Sequence, residues 1–398
     1  MRIGFDARSL SAQVMRGWDR YLVGLARELS RRGIEITLFH RAREPLNLNH
    51  VRDLDCGVVG LDDRGGMHWE QVALPLALWR RKIDLFHAPS EHGVPLGALC
   101  PVVLTLHSVT AHSYRELIAR GALQGHLSDY LDPELLIQKK WAWCYWRAQI
   151  ARANHILCPS DFCRDEIIRC VGVSPQRVTA TYLAVHEQFR RQSSAPDVRA
   201  RALKQFGIEK PYLLYVGGFE THKNVGGLIE VFAKVRVVRP DLALVIVGSK
   251  ALPPRLVASA QRLGLRTGVD VIFQTDVTDA LTDLYDQAEM LVTLSWRETF
   301  CLPALEAMSR GIPVVASAWG AAPEIIGGAG RLVDPRDHEA AKKAILDLLG
   351  REDRVEFSIE LRARAARFNW SATAIQTLNI YHSLVCRKSI SAETSAIG

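Results

Sequence analysis

The sequence predicts an α/β protein made of two doubly wound parallel sheets in tandem, and three observations carry that expectation. Short apolar runs alternate with amphipathic stretches nearly throughout, the pattern of parallel strands joined by crossover helices. The chain has 398 residues, enough for two hydrophobic cores. A polar stretch at 188–210, QFRRQSSAPDVRARALKQFGIEK, interrupts the alternation near the middle and reads as a linker.

In the first half the apolar runs predict strands at 2–7, 35–40, 85–88, 101–107 and 155–160. A helix is expected over 20–33, stopped by Gly33. In the second half strands are expected at 212–218, 243–249, 270–274, 290–295 and 313–317. A helix is expected over 224–238, with Gly226 and Gly227 weakening its first turn. The tail 387–398 is polar and small, and is expected to be disordered.

Composition narrows the function classes. The chain is 48% hydrophobic and 23% charged, ordinary for a soluble enzyme. Its net charge is +7, of which residues 1–200 carry +5. That tilt is too mild for a nucleic-acid footprint; it fits a solvated basic surface or contact with anionic lipid or a phosphorylated acceptor. The eight cysteines show no zinc-type repeat and read as reduced thiols in a cytosolic protein. The N-terminus reads as a first strand rather than a signal peptide, and no apolar run is long enough to span a bilayer.

The most informative segment is SWRETFCLPALEAMSRGIPVVAS, residues 295–317. Glu298 falls on a loop after the apolar run 290–294, and Glu306 falls in the early turns of a helix with Pro303 near its start. Between them lie the backbone N–H groups of a helix start, a seat for a phosphate. Two carboxylates flanking a phosphate seat suit a ligand with hydroxyls on both sides of its phosphates, and a nucleotide sugar is such a ligand. Lys223, after the strand YLLYVGG, supplies a cation where a helix start disfavours one unless an anion is bound there.

These motifs together resemble the retaining glycosyltransferases of family 4 (glycosyltransferase group 1). The resemblance rests on YLLYVGGFETHKNVGGLIEVF, ETFCLPALEAMSRGIPVVAS, APEIIGGAGRLVDP and FNWSATAIQTLNIY in the second half. In the first half it rests on GWDRYLVGLAREL, PVVLTLHS and ANHILCPSDFCRDEIIRCVGVSPQRVTATY, so that almost the whole chain is covered.

The resemblance implies the GT-B fold, two Rossmann-like domains facing an interdomain cleft. It implies an acceptor-side domain over 1–195, a nucleotide-sugar domain over 205–370, and a helix at 371–386 crossing back to the first domain. It places Gly17, Gly218, His222, Lys223, Glu298, Phe300, Cys301, Leu302 and Glu306 at the donor, and Asp19, His107 and Ser160 on the acceptor side. His107, Lys223 and Glu298 would carry catalysis: Lys223 stabilises the departing diphosphate, Glu298 grips sugar hydroxyls, Glu306 holds the ribose, and His107 helps place donor and acceptor.

Departures from the family pattern are visible. Thr299 and Cys301 stand where relatives usually have Gly, His222 where many have Arg, Ser108 where Asp is usual, and Asp19 where a second Gly would be. Asp19 reads as a helix N-cap or as facing a hydroxylated acceptor. Ser160, followed by Asp161, is also an ordinary helix-start signal.

The aromatic and cationic run at 139–153 could stack on bases or touch a membrane, but Trp141, Tyr145 and Ala148 share helical spacing, which favours a buried face. The acidic triplet DLD at 53–55 reads as a solvated turn, and no catalytic metal or cofactor is expected.

The expected function is retaining, metal-independent hexosyl transfer from a nucleotide sugar, with a preference for GDP-mannose. The acceptor would be a saccharide or lipid-linked, in surface polysaccharide or lipopolysaccharide assembly, at the cytoplasmic face of a membrane with peripheral anionic contact. The rivals are a GT-B sugar-nucleotide epimerase, a sugar-nucleotide-binding protein without transfer, and a nicotinamide-dependent oxidoreductase. The last lacks its glycine fingerprint after the first strand.

Overall fold

A computed structural model describes residues 1–12, 15, 17–124, 139–191, 195–248, 252–275, 277 and 280–396. The chain divides into two compact units. One holds Met1–His112, Leu131–Leu183 and Asn369–Gly398; the other holds Ser113–Tyr130 and Ala184–Phe368.

The first unit contains a seven-stranded parallel sheet of β1 (Arg2–Asp6), β2 (Glu35–Arg41), β3 (Gly57–Leu61), β4 (Leu85–Ala88), β5 (Val102–Thr105), β6 (His155–Cys158) and β7 (Val178–Ala180). The order is β3-β2-β1-β4-β5-β6-β7, so the direction of winding reverses between β1 and β4. β4 and β5 are buried along their whole length, as parallel strands covered on both faces must be.

The second unit contains a six-stranded parallel sheet of β8 (Tyr212–Val216), β9 (Ala243–Gly248), β10 (Val271–Thr275), β11 (Met290–Thr293), β12 (Val314–Ser317) and β13 (Arg331–Val333). Its order is β10-β9-β8-β11-β12-β13, with the reversal between β8 and β11. In such open sheets ligands bind beyond the strand C-termini at that reversal.

Three strands lie outside the sequence expectation: β3, β7 and β13. β3 is largely solvated and its apolar residues are interrupted by Gly57 and Gly60, while β7 and β13 have only three residues each, too few for an apolar run that marks a strand. The linker stretch is not simple coil; it contains a 3-10 turn at Glu187–Arg190 and a helix at Pro196–Gln205.

The tail expectation is also corrected. The last helix runs Trp370–Ala396, because no Gly or Pro interrupts it before Gly398. This helix belongs to the first unit. The Tyr381 hydroxyl meets His87 Nδ1 at 2.5 Å, and His87 Nε2 meets Thr105 Oγ1 at 2.7 Å. Tyr21 closes the chain on Thr105 at 3.1 Å and packs its ring near Trp370. Every polar atom in this buried run finds a partner through the next.

Candidate active site

The second unit brings its predicted residues together at the sheet reversal. Lys223 follows β8 on a 3-10 turn, Thr221–Lys223, and Glu298 follows β11. Two bonds stitch these loops together across some seventy residues of chain. Trp296 N–H donates to the His222 carbonyl at 2.8 Å, and Asn224 Nδ2 donates to the Leu294 carbonyl at 2.9 Å. Asn224 holds φ at 50°, a left-handed conformation that Asn tolerates better than most residues.

The result is a close ion pair. Lys223 Nζ donates to both Glu298 oxygens, at 2.9 and 2.8 Å, and the Ser295 hydroxyl donates to Glu298 Oε1 at 2.7 Å. Burial opposes both charges, but their attraction prevails: Lys223 is held above its ordinary pKa and Glu298 below its own.

Cys301 adopts φ 75° and ψ 53°, and the helix Leu302–Ser309 begins directly after it. A left-handed residue followed by right-handed helix turns successive N–H groups toward one point, a nest for an anion. Pro303 has no N–H to contribute, so the donors nearest the turn are the amides of Cys301 and Leu302. The Phe300 side chain is buried and meets Phe368 edge-on at 5.9 Å.

Glu306 lies in that helix, buried, with Oε2 accepting from the Tyr285 hydroxyl at 2.9 Å. The Cys301 thiol is pushed well above the usual range by burial and then by Glu298, with Glu306 adding and Lys223 opposing. All three charged residues therefore lie within electrostatic reach of one sulfur.

His222 is neutral: burial, then the Lys223 charge, lower it to about 4. Its Nδ1 meets the Tyr114 hydroxyl at 2.9 Å. Gly218 offers its carbonyl to the Tyr215 hydroxyl at 2.7 Å, and a Cβ there would strike the Glu220 carboxylate.

In the first unit His107 follows β5. Its Nε2 lies 2.9 Å from the Pro89 carbonyl, which can only accept, so Nε2 carries the proton and Nδ1 the lone pair. Burial lowers His107 to about 4. Ser108 donates to Glu91 Oε1 at 2.6 Å.

Gly17 is the first residue of the helix Gly17–Ser30. Asp19 is therefore inside the first turn, not at its N-cap, which corrects that reading; the helix starts two residues earlier, and Asp19 is only 1% exposed. Ser160 is fully buried and caps the helix Asp161–Val171, its Oγ accepting from the Cys163 amide at 3.0 Å.

In the run 139–153, Tyr145 is half-buried and bonds Glu70 and Gln71, while Gln149 and Ile150 form the buried face. The Trp141 side chain lies outside the described residues.

Comparison with known proteins settles the family. Residues 199–367 match the family described as glycosyl transferases group 1, and residues 15–189 match glycosyltransferase family 4. The chain belongs to this glycosyltransferase family.

It is 32% identical over 231 residues to the O-antigen chain mannosyltransferase B of Escherichia coli, a match covering 58% of this chain and 60% of that protein. It is 28% identical to D-inositol 3-phosphate glycosyltransferase 1 of Catenulispora acidiphila, over 93% of this chain and 91% of that one. Among solved structures, a glycosyltransferase from Rickettsia africae superposes with a TM-score of 0.73 at 14% identity, covering 96% of this chain and 98% of that one. HepE of Anabaena, solved with UDP-glucose, gives 0.72 at 17% identity over 96% of this chain and all of that one. The two parallel units are thus the two Rossmann-like units of the GT-B fold.

Against the glycosyltransferase pattern, Cys301 is the notable departure, since its left-handed backbone explains why Gly suits that position. Sequence reasoning missed Ser295, Tyr285, Tyr114 and Gly320. Gly320, at φ 73°, stands so close to the Glu298 loop that a Cβ would lie 2.6 Å from the Glu298 nitrogen and 2.7 Å from its carbonyl oxygen. The AWGAAPE turn signal was available for Gly320; nothing local marks the other three, whose roles arise from contacts across the chain.

Proposed function

We propose that this glycosyltransferase moves a hexosyl unit from a nucleoside diphosphate sugar to a saccharide or lipid-linked acceptor, with retention at the anomeric carbon. The observation that carries the reading is the Lys223–Glu298 pair at the β8/β11 reversal, beside the nest at Cys301 and Leu302. A diphosphate seated in that nest competes with Glu298 for the Lys223 ammonium. Lys223 then faces the leaving group, and Glu298 is released to accept sugar hydroxyls.

In the proposed step the bond between the anomeric carbon and the diphosphate oxygen breaks, and its electron pair stays on the phosphate. The acceptor oxygen bonds to the anomeric carbon from the same face, and its proton passes to the departing phosphate oxygen. A fixed cation and two amides aimed at the growing charge are worth about 3 kcal/mol per donor removed. Glu306, oriented by Tyr285, is assigned the ribose hydroxyls. His107, with Nδ1 as its lone-pair nitrogen, is assigned to the acceptor side. No divalent cation is part of the step.

A surface-glycan role and a mannosyl donor draw support from the E. coli relative, whose length this match spans only in part. A cytoplasmic location with peripheral contact to the inner face of a membrane belongs to the same reading; among the described residues no helix is long and apolar enough to cross one.

Thermal-shift screening against UDP, GDP and ADP sugars, followed by product analysis with and without EDTA, tests the proposal. Stabilisation by one donor and EDTA-resistant transfer with the same anomeric configuration is the expected result. Donor binding without transfer or hydrolysis would replace it with a binding protein, and isomerised donor without acceptor would indicate an epimerase.

A further inference from the structure

The helical run from Gly66 to Arg80 in the first unit buries Trp69, Leu74, Ala77 and Leu78. Its other face carries Val72, Leu76 and Trp79, at spacings of four and three, and each is more than 40% exposed. Polar outer faces are the norm for a helix on a sheet, so an apolar stripe there calls for a partner.

The neighbouring segments extend the stripe. Gln71 accepts from the Leu96 amide at 2.8 Å and donates to the Val94 carbonyl at 3.1 Å, which fixes the 94–99 loop alongside. That loop exposes Leu96 and Leu99, the latter by 71%. Gln71 also donates to the Tyr145 hydroxyl at 2.7 Å, bringing in the helix Lys139–Arg152, on which Trp143 is exposed and stacks on Trp146.

At the end of the stripe Trp79 and Leu99 border a groove of about 740 Å³. Leu78, Ile83 and Val385 line it, and Arg2, Arg80 and Lys82 stand at its rim. Arg2 and Asp84 stand at the N-terminal ends of β1 and β4, the opposite edge of the sheet from His107.

Charge decides what the face is for. Arg64, Arg80, Arg81, Lys82 and Arg147 are exposed around it. The segments 64–82, 92–100 and 139–152 contain one carboxylate, Glu70, and it is buried. The one acid that lines the groove, Asp84, is partly exposed and paired with Arg2. An apolar stripe with an exposed Trp, bordered by an excess of cations, matches the headgroup boundary of an anionic bilayer. A protein partner would have to supply both an apolar ridge and a surrounding ring of acids.

We infer that this face of the first unit docks the protein on an anionic lipid surface, with Trp79, Leu76 and Leu99 in the acyl boundary and Arg80, Arg81 and Lys82 on the headgroups. The inference gives the peripheral contact named above a location, yet it stands apart from the sugar chemistry, because its test uses no nucleotide sugar.

The test is co-sedimentation of the full chain with vesicles of phosphatidylcholine alone or mixed with phosphatidylglycerol. Binding should require phosphatidylglycerol and weaken as NaCl rises from 0.1 to 0.5 M. The triple variant Arg80→Glu, Arg81→Glu, Lys82→Glu should bind roughly 100-fold more weakly, from about fivefold per cation. Trp79→Ser should lose about tenfold. Circular dichroism and melting temperature confirm that each variant is folded. Trp79→Phe keeps binding but loses part of the fluorescence quenching by brominated lipid. Equal binding to both vesicle types, unchanged binding by the triple variant, or identical quenching in Trp79→Phe would overturn the inference. So would lipid-free self-association that Trp79→Ser abolishes, which would make a second copy of the chain the occupant.

Discussion

Lys223 and Glu298 neutralise each other, so each protects the other from being an isolated buried charge. Removing only one partner should therefore be worse for stability than removing both. Glu298→Gln is expected to cost about 2 kcal/mol or more, and Lys223→Met with Glu298→Gln to recover much of it. Denaturant titration of the four proteins of this cycle checks the coupling; strictly additive losses would contradict it. In activity, the proposed step makes Lys223 answer charge that grows in the transition state, so Lys223→Met should lower kcat far more than it raises KM.

Cys301 offers a second residue-scale prediction. At an ordinary buried position Gly is less stable than Ala. Here the backbone is left-handed, which penalises any Cβ by about 1 kcal/mol. Cys301→Gly should thus be at least as stable as Cys301→Ala, reversing the usual order, and melting temperatures of the pair decide it.

At the scale of elements, the site depends on how loops are clamped to one another. The Ala321 amide donates to the Glu298 carbonyl at 2.9 Å, and Gly320 leaves the room for that approach. Gly320→Ala would force a Cβ onto backbone atoms, which cannot rotate away. Turnover should fall at least 100-fold while the protein still folds, and a destabilisation of about 2 kcal/mol is expected from the strained φ and the clash. A variant with wild-type kcat/KM would show that the Glu298 loop tolerates displacement.

Legibility of the chain also divides at this scale. Central strands such as β5, β8 and β11 were readable to within a few residues, because burial on both faces demands an unbroken apolar run. Edge strand β3 was not, since three of its five residues are exposed and its pattern is that of a turn-rich loop. The helix at 302 was readable from Pro303, but the left-handed turn at Cys301 was not, because no propensity places Cys there.

At the scale of the whole molecule, four imidazoles among the described residues are held neutral chiefly by burial. His87 is lowered to about 3, and His107, His155 and His222 to about 4. Each folded-state pKa lies below the unfolded value near 6.5, so the unfolded chain binds more protons as pH falls. Their contribution is complete above about pH 6.5 and is lost as pH falls toward 4, at up to about 1.4 kcal/mol per pH unit for each. Three of the four belong to the first unit, which should therefore lose more stability than the second between pH 6.5 and 4.5. Melts followed by hydrogen exchange in each unit would show this, and equal losses in both would refute it.

The sequence by itself determined the α/β class, the two-sheet organisation, the family, and the residue types from which a phosphate seat could be built. These follow from local periodicity and short motifs, which a chain carries wherever it folds. Only the tertiary structure decided that Lys223 reaches Glu298, that Tyr285 orients Glu306, that Asp19 lies within its helix, and that an apolar stripe faces outward between cations. Contacts such as Lys223 with Glu298, 75 positions apart, and Tyr285 with Glu306, 21 apart, leave no periodic trace in the sequence, and where a helix starts or which of its faces stays uncovered depends on the elements packed around it.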